Sequence, residues 1–599
     1  MDVTKPSRTR QRFCGWLTTA DEQLHSIDDS AFGAPAKRLG YILFLSGFLS
    51  DTQDLKRQLG VPADLDDFTL LVRAYHRWGE LLHRHVLGEY SLCLYEPRSR
   101  TLLITQDALG LGGLFYRIQA GGVQFANHLI DLLDIADDRS IDQGYVAQFL
   151  ACGGSASERT PFSSITRLLP GQSLLRSAAG IQVRRTWTLA SVPELRLRND
   201  GEYEERFREL LSSAVRASVN PDGVTWIALS GGLDSSSIAS VAGKLCLDRV
   251  GSYTFVSPAS PRNDEQRWAQ SVIDAYPMPW HRLDAAQAFP FAELPSSGSF
   301  QGEPTSAVIQ TRGNRLLNEL LESNNVRTVL TGHGGDAVLG SSPGQTPSHL
   351  VDLLFSGRPL EAWRALSDWS RDHYESRSRT FLLWRAVLGP AISHLRGRRF
   401  GQNNALPIPP WISPEYSRAW MLRTLSNRQV APADRYPGRQ EISDSVWSLA
   451  VAGNAAPLIG THDVRRPLLY RPFFEFMYAV PGAQRFQPKY DRALQRRALK
   501  GTLPELVRLR GTKVFGTWAI VEGLARSPAW INYLCDDPQL PSLGVTTAEL
   551  WRDAIVQASV GNTFGDRFFI AGVAIEVWLK QLSEYRPVRR RSTTELGRR

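Results

Sequence analysis

Residues Val224 to Ser236 read Val-Thr-Trp-Ile-Ala-Leu-Ser-Gly-Gly-Leu-Asp-Ser-Ser and are the most informative segment of the chain. Residues 224–229 form an apolar run that predicts a buried strand, and residues 235–247 have the spacing of a helix. Between them, Ser230-Gly231-Gly232 lets the backbone turn tightly and approach an anion, while hydroxyls and the helix start donate to it. The sequence therefore predicts a phosphate-binding loop. Because the Gly-Lys-Ser/Thr ending of a Walker loop is absent, kinase and ATPase chemistry are disfavoured.

A second loop has the same character. Thr331-Gly332-His333-Gly334-Gly335-Asp336 comes at the end of a strand predicted at 326–331. Further runs predict a strand at 252–256, a helix at 265–276 and a helix at 309–323. This alternation is typical of a doubly wound parallel sheet, whose loops open at the carboxyl edge of the strands, where ligands bind. Asp234 and Asp336 are accordingly predicted to share a Mg²⁺ ion, with helix capping as the alternative for both residues.

The first third of the chain predicts a different, sheet-rich domain. Residues 41–48, 90–95 and 101–105 read as strands, and residues 68–83 carry apolar side chains at helical spacing. A polar stretch at 190–201 that contains Pro193 predicts a linker. We predict a first domain at 1–192, an α/β domain with a helical extension at 200–585, and a basic tail at 586–599.

The bulk composition excludes several classes of protein. Of the 599 residues, 42% are hydrophobic and 22% are charged, as in an ordinary folded protein. Five cysteines lie far apart without metal-ligand spacing, which favours reduced thiols and a cytoplasmic location. A run of about 18 apolar residues is missing, so no membrane span is expected. The net charge of +9 comes partly from arginines at 371–399 and 586–599 that are not interleaved with stacking aromatics, so no nucleic-acid partner is predicted.

The two loops, in this order, resemble the synthetase domain of the asparagine synthetase superfamily, which also contains β-lactam synthetases and lasso-peptide cyclases. Residues 88–95 and 107–111 resemble that family's first domain, and residues 466–473 and 503–505 resemble late segments of its synthetase half. The resemblance implies an N-terminal-nucleophile (Ntn) type, glutaminase-like α+β sandwich followed by a doubly wound α/β ATP-pyrophosphatase domain. It further implies an ATP-dependent ligase that releases AMP and pyrophosphate.

One departure from the family pattern concerns the source of the amine. The family's glutaminase uses a cysteine directly after the initiator methionine, and here that position is Asp2. Cys14 follows Phe13 within the chain and presents no terminal amine beside its thiol. We therefore expect a degenerate first domain that acts as a scaffold, and a substrate that carries its own amine.

Among such relatives the long basic helical segment favours a lasso-peptide cyclase, which forms a macrolactam (isopeptide) bond between a side-chain carboxylate and the N-terminal amine of a precursor peptide. A place in the biosynthesis of ribosomally made, modified peptides (RiPPs) would imply a leader-peptide-binding protein and a leader peptidase as partners. The alternatives are a β-lactam-synthetase-like cyclisation of a small molecule, an ammonia-dependent asparagine synthetase, and a degenerate ATP-binding partner without ligase chemistry.

The resemblance also implies roles for single residues. Lys513 falls where the family carries a lysine that stabilises negative charge on the α-phosphate and then on the oxyanion, with an exposed surface lysine as the alternative. His333 could accept the proton of the attacking amine or merely bond the loop backbone. Glu265 and Glu303 match acidic positions near the substrate pocket, where either could orient the amine or cap a helix. The residues expected to bind ATP are Leu229, Ser230, Gly231, Gly232, Asp234, Ser235, Ser236, Val256, Thr331 and Gly332.

Overall fold

The computed structural model describes most of the chain. Its described residues are 11–18, 24–27, 34–119, 122–136, 138–154, 157–258, 264–295, 300–340, 346–373, 383–395, 407–422, 431–432, 434, 436–452, 462–486, 491–511, 517–562, 566–587 and 592–593. Within these ranges no helix is both long enough and apolar enough to cross a lipid bilayer.

The strands and helices follow one another in two distinct rhythms. The strands are β1 Cys14–Thr18, β2 Leu24–Ile27, β3 Ala36–Arg38, β4 Tyr41–Ser50, β5 Leu87–Glu96, β6 Thr101–Gln106, β7 Phe115–Gln119, β8 Gly122–Ala126, β9 Thr166–Arg167, β10 Gln172–Ser177, β11 Gly180–Arg185, β12 Thr225–Ala228, β13 Val250–Val256, β14 Trp280–Asp284, β15 Thr328–Leu330, β16 Asp463–Arg465 and β17 Ser592–Thr593. The α-helices are α1 Thr52–Leu59, α2 Asp67–Trp78, α3 Leu129–Asp134, α4 Gln143–Cys152, α5 Asp200–Ser218, α6 Leu233–Cys246, α7 Gln266–Ala275, α8 Thr311–Ser323, α9 Gly335–Leu339, α10 Thr346–Phe355, α11 Pro359–His373, α12 Gly389–Leu395, α13 Pro414–Ala419, α14 Pro437–Ala452, α15 Arg471–Ala479, α16 Gly482–Arg485, α17 Ala493–Ala498, α18 Glu505–Arg508, α19 Thr517–Ala525, α20 Pro528–Cys535, α21 Ala548–Ser559 and α22 Asp566–Glu584.

Two antiparallel sheets packed face to face form the first domain. Their strand orders are β17-β2-β1-β8-β7-β9 and β11-β10-β6-β5-β4-β3. Apolar side chains of both sheets meet in a common core, where Phe44 of one sheet makes an edge contact with Phe125 of the other at 6.5 Å between ring centroids. The outer face of the second sheet is covered by α1 and α2, which bury leucines against β4 and β5. The runs of the first third predict a sheet-rich domain, and the family resemblance implies the sandwich that these two sheets form.

A parallel sheet organises the second domain. Its order among the described strands is β14-β13-β12-β15-β16, with every neighbouring pair parallel. Because β12 and β15 are adjacent, the turns after Ala228 and Leu330 leave the same edge of the sheet. Some helical segments after Gly340 pack on one another and on α22, while α14, α15, α17 and α18 pack on the helices beside the parallel sheet and on α9.

The two domains share polar contacts and a continuous apolar interface. Glu89 of β5 accepts from both the backbone N and Nη1 of Arg466 at 3.1 Å. Buried Arg167 of β9 forms an ion pair with Glu303 of the second domain. Aromatic side chains of α4 lie in the same core as tryptophans of α20, α21 and α22. The sandwich and the second domain thus pack against each other along a wide face.

Two residues near the end of the chain extend the first sandwich sheet. Within the predicted basic tail at 586–599, Ser592 and Thr593 pair antiparallel with Ile27 and Ser26 at the edge of that sheet. Arg586 donates to the carbonyl of Ser583. The remaining tail arginines lie outside the described residues.

Candidate active site

The loop after β12 is held in shape by its own serines. Ser230 Oγ lies 3.0 Å from Ser235 Oγ, and Ser230 N donates to Ser235 Oγ at 3.2 Å. Helix α6 begins directly after Gly232, so the unpaired N–H groups of its first turn open onto the loop. Ser235 is buried, whereas Ser230 is exposed. The loop therefore presents a preformed set of donors with one hydroxyl open to solvent.

A glycine is required in the middle of this loop. Gly231 has φ +71°, and a Cβ there would lie 2.8 Å from Trp268 Cβ and 2.9 Å from the carbonyl oxygen of Glu265. Arg510 closes the same side of the loop. It donates to Gly231 O at 3.0 Å, pairs with Glu265, and stacks 3.9 Å above the Trp268 ring. Glu265 thus lies beside the loop, with its carboxylate bound to an arginine.

The second loop packs directly on the first. A Cβ on Gly335 would lie 2.3 Å from Asp234 Oδ2, and one on Gly332 would lie 2.9 Å from Ser235 N. Both glycines are therefore needed for the close approach of the two loops. The two motifs meet at one edge of the parallel sheet, as their positions after adjacent strands predict.

Asp234 and Asp336 are brought together by one arginine. Arg492 donates Nη1 to Asp234 Oδ1 and Nη2 to Asp336 Oδ1, and its Nε reaches the carbonyl of Gly340 at 3.2 Å. Because both terminal nitrogens belong to one planar group, the two carboxylates lie side by side. The capping alternative for Asp234 is not supported, since α6 is capped at Gly232 and, within the described residues, no side chain caps its start.

His333 stands at the exposed rim of the second loop, next to the domain interface. Partial burial of its ring and the positive charge of Arg466 lower its pKa below the usual 6.5, while Asp336 raises it. The lowering predominates, so the imidazole is neutral at pH 7 and is able to accept a proton. Arg466 is itself held by Glu89, so a side chain of the first domain positions a charge beside this loop.

The remaining loop residues are placed along the two strand ends. Leu229 and Val256 are buried at the ends of neighbouring strands, and Leu229 N donates to Tyr253 O at 2.9 Å. Ser236 Oγ and Thr331 Oγ1 are buried and have no hydrogen-bond partner among the described residues. A buried hydroxyl without a partner is costly, and a phosphate or ordered water would satisfy it.

Two family models match the regions of the chain described above. Residues 206–580 match the family described as asparagine synthase, and residues 18–187 match the glutamine amidotransferase domain. This chain belongs to the asparagine synthase family. Since the matched region contains both loops, the protein is an ATP-dependent carbon–nitrogen ligase with an N-terminal glutamine-amidotransferase-like domain and a C-terminal synthetase domain.

Individual relatives of this synthase are distant. Asparagine synthetase [glutamine-hydrolyzing] 3 of Bacillus subtilis is 20% identical over 78% of this chain and 74% of its own length. Putative asparagine synthetase [glutamine-hydrolyzing] 2 of Methanocaldococcus jannaschii is 21% identical over 53% of this chain and 62% of its own. Amidase chry2 of Gibberella zeae is 22% identical over 49% and 46%. A solved structure, glutamine phosphoribosylpyrophosphate amidotransferase from B. subtilis, covers 54% of this chain and 76% of that chain at 11% identity with a TM-score of 0.21, too low to inform the fold.

Glu303, one of the predicted catalytic residues, lies apart from the loops. Glu303 is buried, and its side chain contacts Arg167 and Tyr145 of the first domain rather than either loop. These contacts favour a role in joining the two domains of the synthase. Lys513 lies outside the described residues, although Arg510, three positions earlier, contacts the first loop. The catalytic roles of both residues remain predictions.

Sequence reasoning missed the two arginines that organise this synthase site. Arg492 is 258 positions from Asp234, and Arg510 is 279 positions from Gly231. Both belong to a basic part of the chain in which many arginines serve surface ion pairs, such as Arg508 with Glu505. The position of Arg510 in the same short segment as Lys513 is the one sequence feature that could have indicated its place at the site.

Proposed function

We propose that this synthase closes a macrolactam in a precursor peptide, as a lasso-peptide cyclase does. A side-chain carboxylate of the peptide attacks the α-phosphorus of ATP, the bond to the bridging oxygen breaks, and pyrophosphate leaves. The peptide's N-terminal amine then attacks the acyl carbon, the bond to AMP breaks, and the amine loses a proton. A leader-peptide-binding protein and a leader peptidase would prepare this substrate.

The observation that carries this proposal is the surroundings of Cys14. The backbone before this cysteine is fastened to the sandwich, because Phe13 N donates to Asn127 Oδ1 at 2.7 Å and Asn127 Nδ2 donates to Gln11 O at 2.9 Å. Cys14 itself pairs with Ala126 inside a sheet, and its thiol is buried. An Ntn nucleophile needs a free amine beside the thiol as its base. An amine carried by the substrate therefore explains the site better than ammonia from glutamine.

Each part of the site has a role in this reaction. The donors of the Ser230 loop would bind the β- and γ-phosphates of ATP. They would stabilise the negative charge of the pyrophosphate as its bond to the α-phosphorus breaks. Leu229 and Val256 would flank the adenine, and neutral His333 would take the proton of the amine. Lys513 would stabilise the negative charge that develops in both steps. Glu265 forms an ion pair with Arg510 beside the Ser230 loop, so its carboxylate would lie close to this loop when it orients the amine.

The two carboxylates fit a Mg²⁺ ion. This ion prefers one or two carboxylates together with phosphate oxygens and water. Asp234 and Asp336 supply that donor set from two loops in contact, next to hydroxyls suited to the phosphates. The ion would neutralise the pyrophosphate as it leaves.

Peptide-dependent ATP–pyrophosphate exchange tests this function. Synthetic peptides with a free amino terminus and a single Asp or Glu at successive positions are expected to support exchange, and mass spectrometry should detect the loss of one water from the best of them. Matched peptides with Asn or Gln at the same position are the controls. Exchange that depends instead on aspartate, with asparagine formed from ammonium, would overturn the macrolactam proposal, as would exchange that depends only on a small β-amino acid.

A second test concerns glutamine. Incubation with glutamine is expected to yield no glutamate beyond a heat-inactivated control, because Cys14 lies within a strand and lacks the terminal amine. A glutamate dehydrogenase assay measures this directly. Glutamate release that disappears in Cys14→Ala would show that the first domain is an active glutaminase.

A further inference from the structure

We propose that Arg492 is a resident counter-ion that excludes divalent metal from the Asp234–Asp336 pair until nucleotide binds. The metal would then enter only as its nucleotide complex. This inference rests on the proposed Mg²⁺ site and adds an order of binding to it.

The guanidinium is fully engaged. Its two terminal nitrogens bind one carboxylate each, its Nε binds Gly340 O, and only 7% of the side chain is exposed. Charge-assisted bonds of this kind are among the strong ones, and a planar fork suits two adjacent carboxylates better than a lysine does. A metal ion that approaches Asp234 alone must therefore displace a bound cation.

The backbone at Arg492 is also unusual. Its φ is +55°, a left-handed conformation that a residue with a Cβ rarely adopts. Such a conformation persists where the surroundings fix it, and it is common at functional sites. Helix α17 follows directly, and its Gln495 Nε2 donates to Ser237 Oγ of α6 at 3.0 Å. The segment that carries Arg492 is thus bonded to the helix that starts at the first loop.

The charges at the site explain why nucleotide would change the competition between Arg492 and a metal ion for the two carboxylates. Two carboxylates and one guanidinium leave a net charge of about −1, a weak attractor for a hydrated divalent ion. The triphosphate supplies oxygens both to the metal and to the arginine, so Arg492 can exchange its carboxylate bonds for phosphate bonds. The carboxylate of Asp336 is 54% exposed and that of Asp234 only 14%, so the ion would approach from the Asp336 side.

Binding of Mn²⁺ to the full chain, followed by electron paramagnetic resonance, tests the inference without any turnover. Without nucleotide, Arg492→Gln is expected to bind Mn²⁺ about 10-fold more tightly than the wild type, within the usual range of coupling between binding events. With an ATP analogue that is not cleaved between the α- and β-phosphates, the wild type should bind Mn²⁺ tightly. Arg497→Gln is the matched control, since Arg497 lies on α17, directly after Arg492, but pairs with Glu204. It should behave as the wild type.

Equal nucleotide-free Mn²⁺ affinity of the wild type and Arg492→Gln would overturn the inference and leave the proposed function standing. Failure of the wild type to bind Mn²⁺ with the analogue would instead count against the metal site itself. If Arg492→Gln does not fold by circular dichroism, Arg492→Lys decides the matter. A lysine keeps the charge but bridges two carboxylates poorly, so its Mn²⁺ affinity without nucleotide should exceed that of the wild type, and an unchanged affinity would refute the counter-ion.

Discussion

Replacement of Asp234 by asparagine is expected to reduce ATP–pyrophosphate exchange by about 10³-fold, since a catalytic metal contributes several kcal/mol of charge stabilisation. Asparagine has nearly the same shape, so the close contact with Gly335 would be retained while the charge is lost. Asp336→Asn should have a similar effect, because both carboxylates would bind the same ion. Exchange rates at saturating peptide measure the loss.

The control for these variants is Asp248→Asn. Asp248 is an exposed carboxylate whose nearest cation is Arg249, and its replacement should leave exchange unchanged. Circular dichroism separates loss of chemistry from loss of fold. Wild-type exchange by both Asp234→Asn and Asp336→Asn would refute the shared metal site.

Lys513→Met is expected to lower product formation by about 10²–10³-fold, as loss of a single oxyanion donor does in other enzymes. ATP binding should largely survive, because in the proposed site the Ser230 loop and the paired aspartates would hold the nucleotide independently of this residue. The two outcomes differ because Lys513 would stabilise negative charge that develops in the transition state and is absent from the bound substrate.

Nucleotide affinity, AMP release and cyclic product need to be measured side by side for Lys513→Met. Lys500→Met, which removes an exposed lysine in the turn that precedes α18, serves as the comparison. Near-normal product formation by Lys513→Met would exclude the catalytic role. Weakened ATP binding with an unchanged turnover number would reassign Lys513 to ground-state nucleotide binding.

Elements that depend on local sequence patterns were predicted close to their observed positions. The apolar run before Ser230 and the glycines after it determine a strand, a turn and a helix within one short segment, so β12, the loop and α6 were readable from the sequence. The strand expected at 326–331 is observed at Thr328–Leu330, and the helix expected at 265–276 at Gln266–Ala275. Each of these elements depends on neighbours in the chain.

The parts that could not be predicted depend on distant residues. Nothing near Glu303 in the sequence indicates that its partner is Arg167, 136 positions away in the other domain. A buried glutamate paired with an arginine and a catalytic glutamate look alike in a sequence, because both are acidic residues within an apolar context. Arg492 is a similar case, since a positive φ at an arginine leaves no trace in composition or periodicity.

The buried ion pair between Arg167 and Glu303 means that this protein cannot be dissected into two independent pieces. Cutting the chain near Pro193 and expressing residues 200–599 alone would remove Arg167 and expose the interface around Glu303 to water. The aromatic face around α22 would be exposed to water at the same time, which favours aggregation. If the two halves are co-expressed, by contrast, they could reassemble without a covalent link. The strand at Ser592–Thr593 would then pair again with β2 of the first domain.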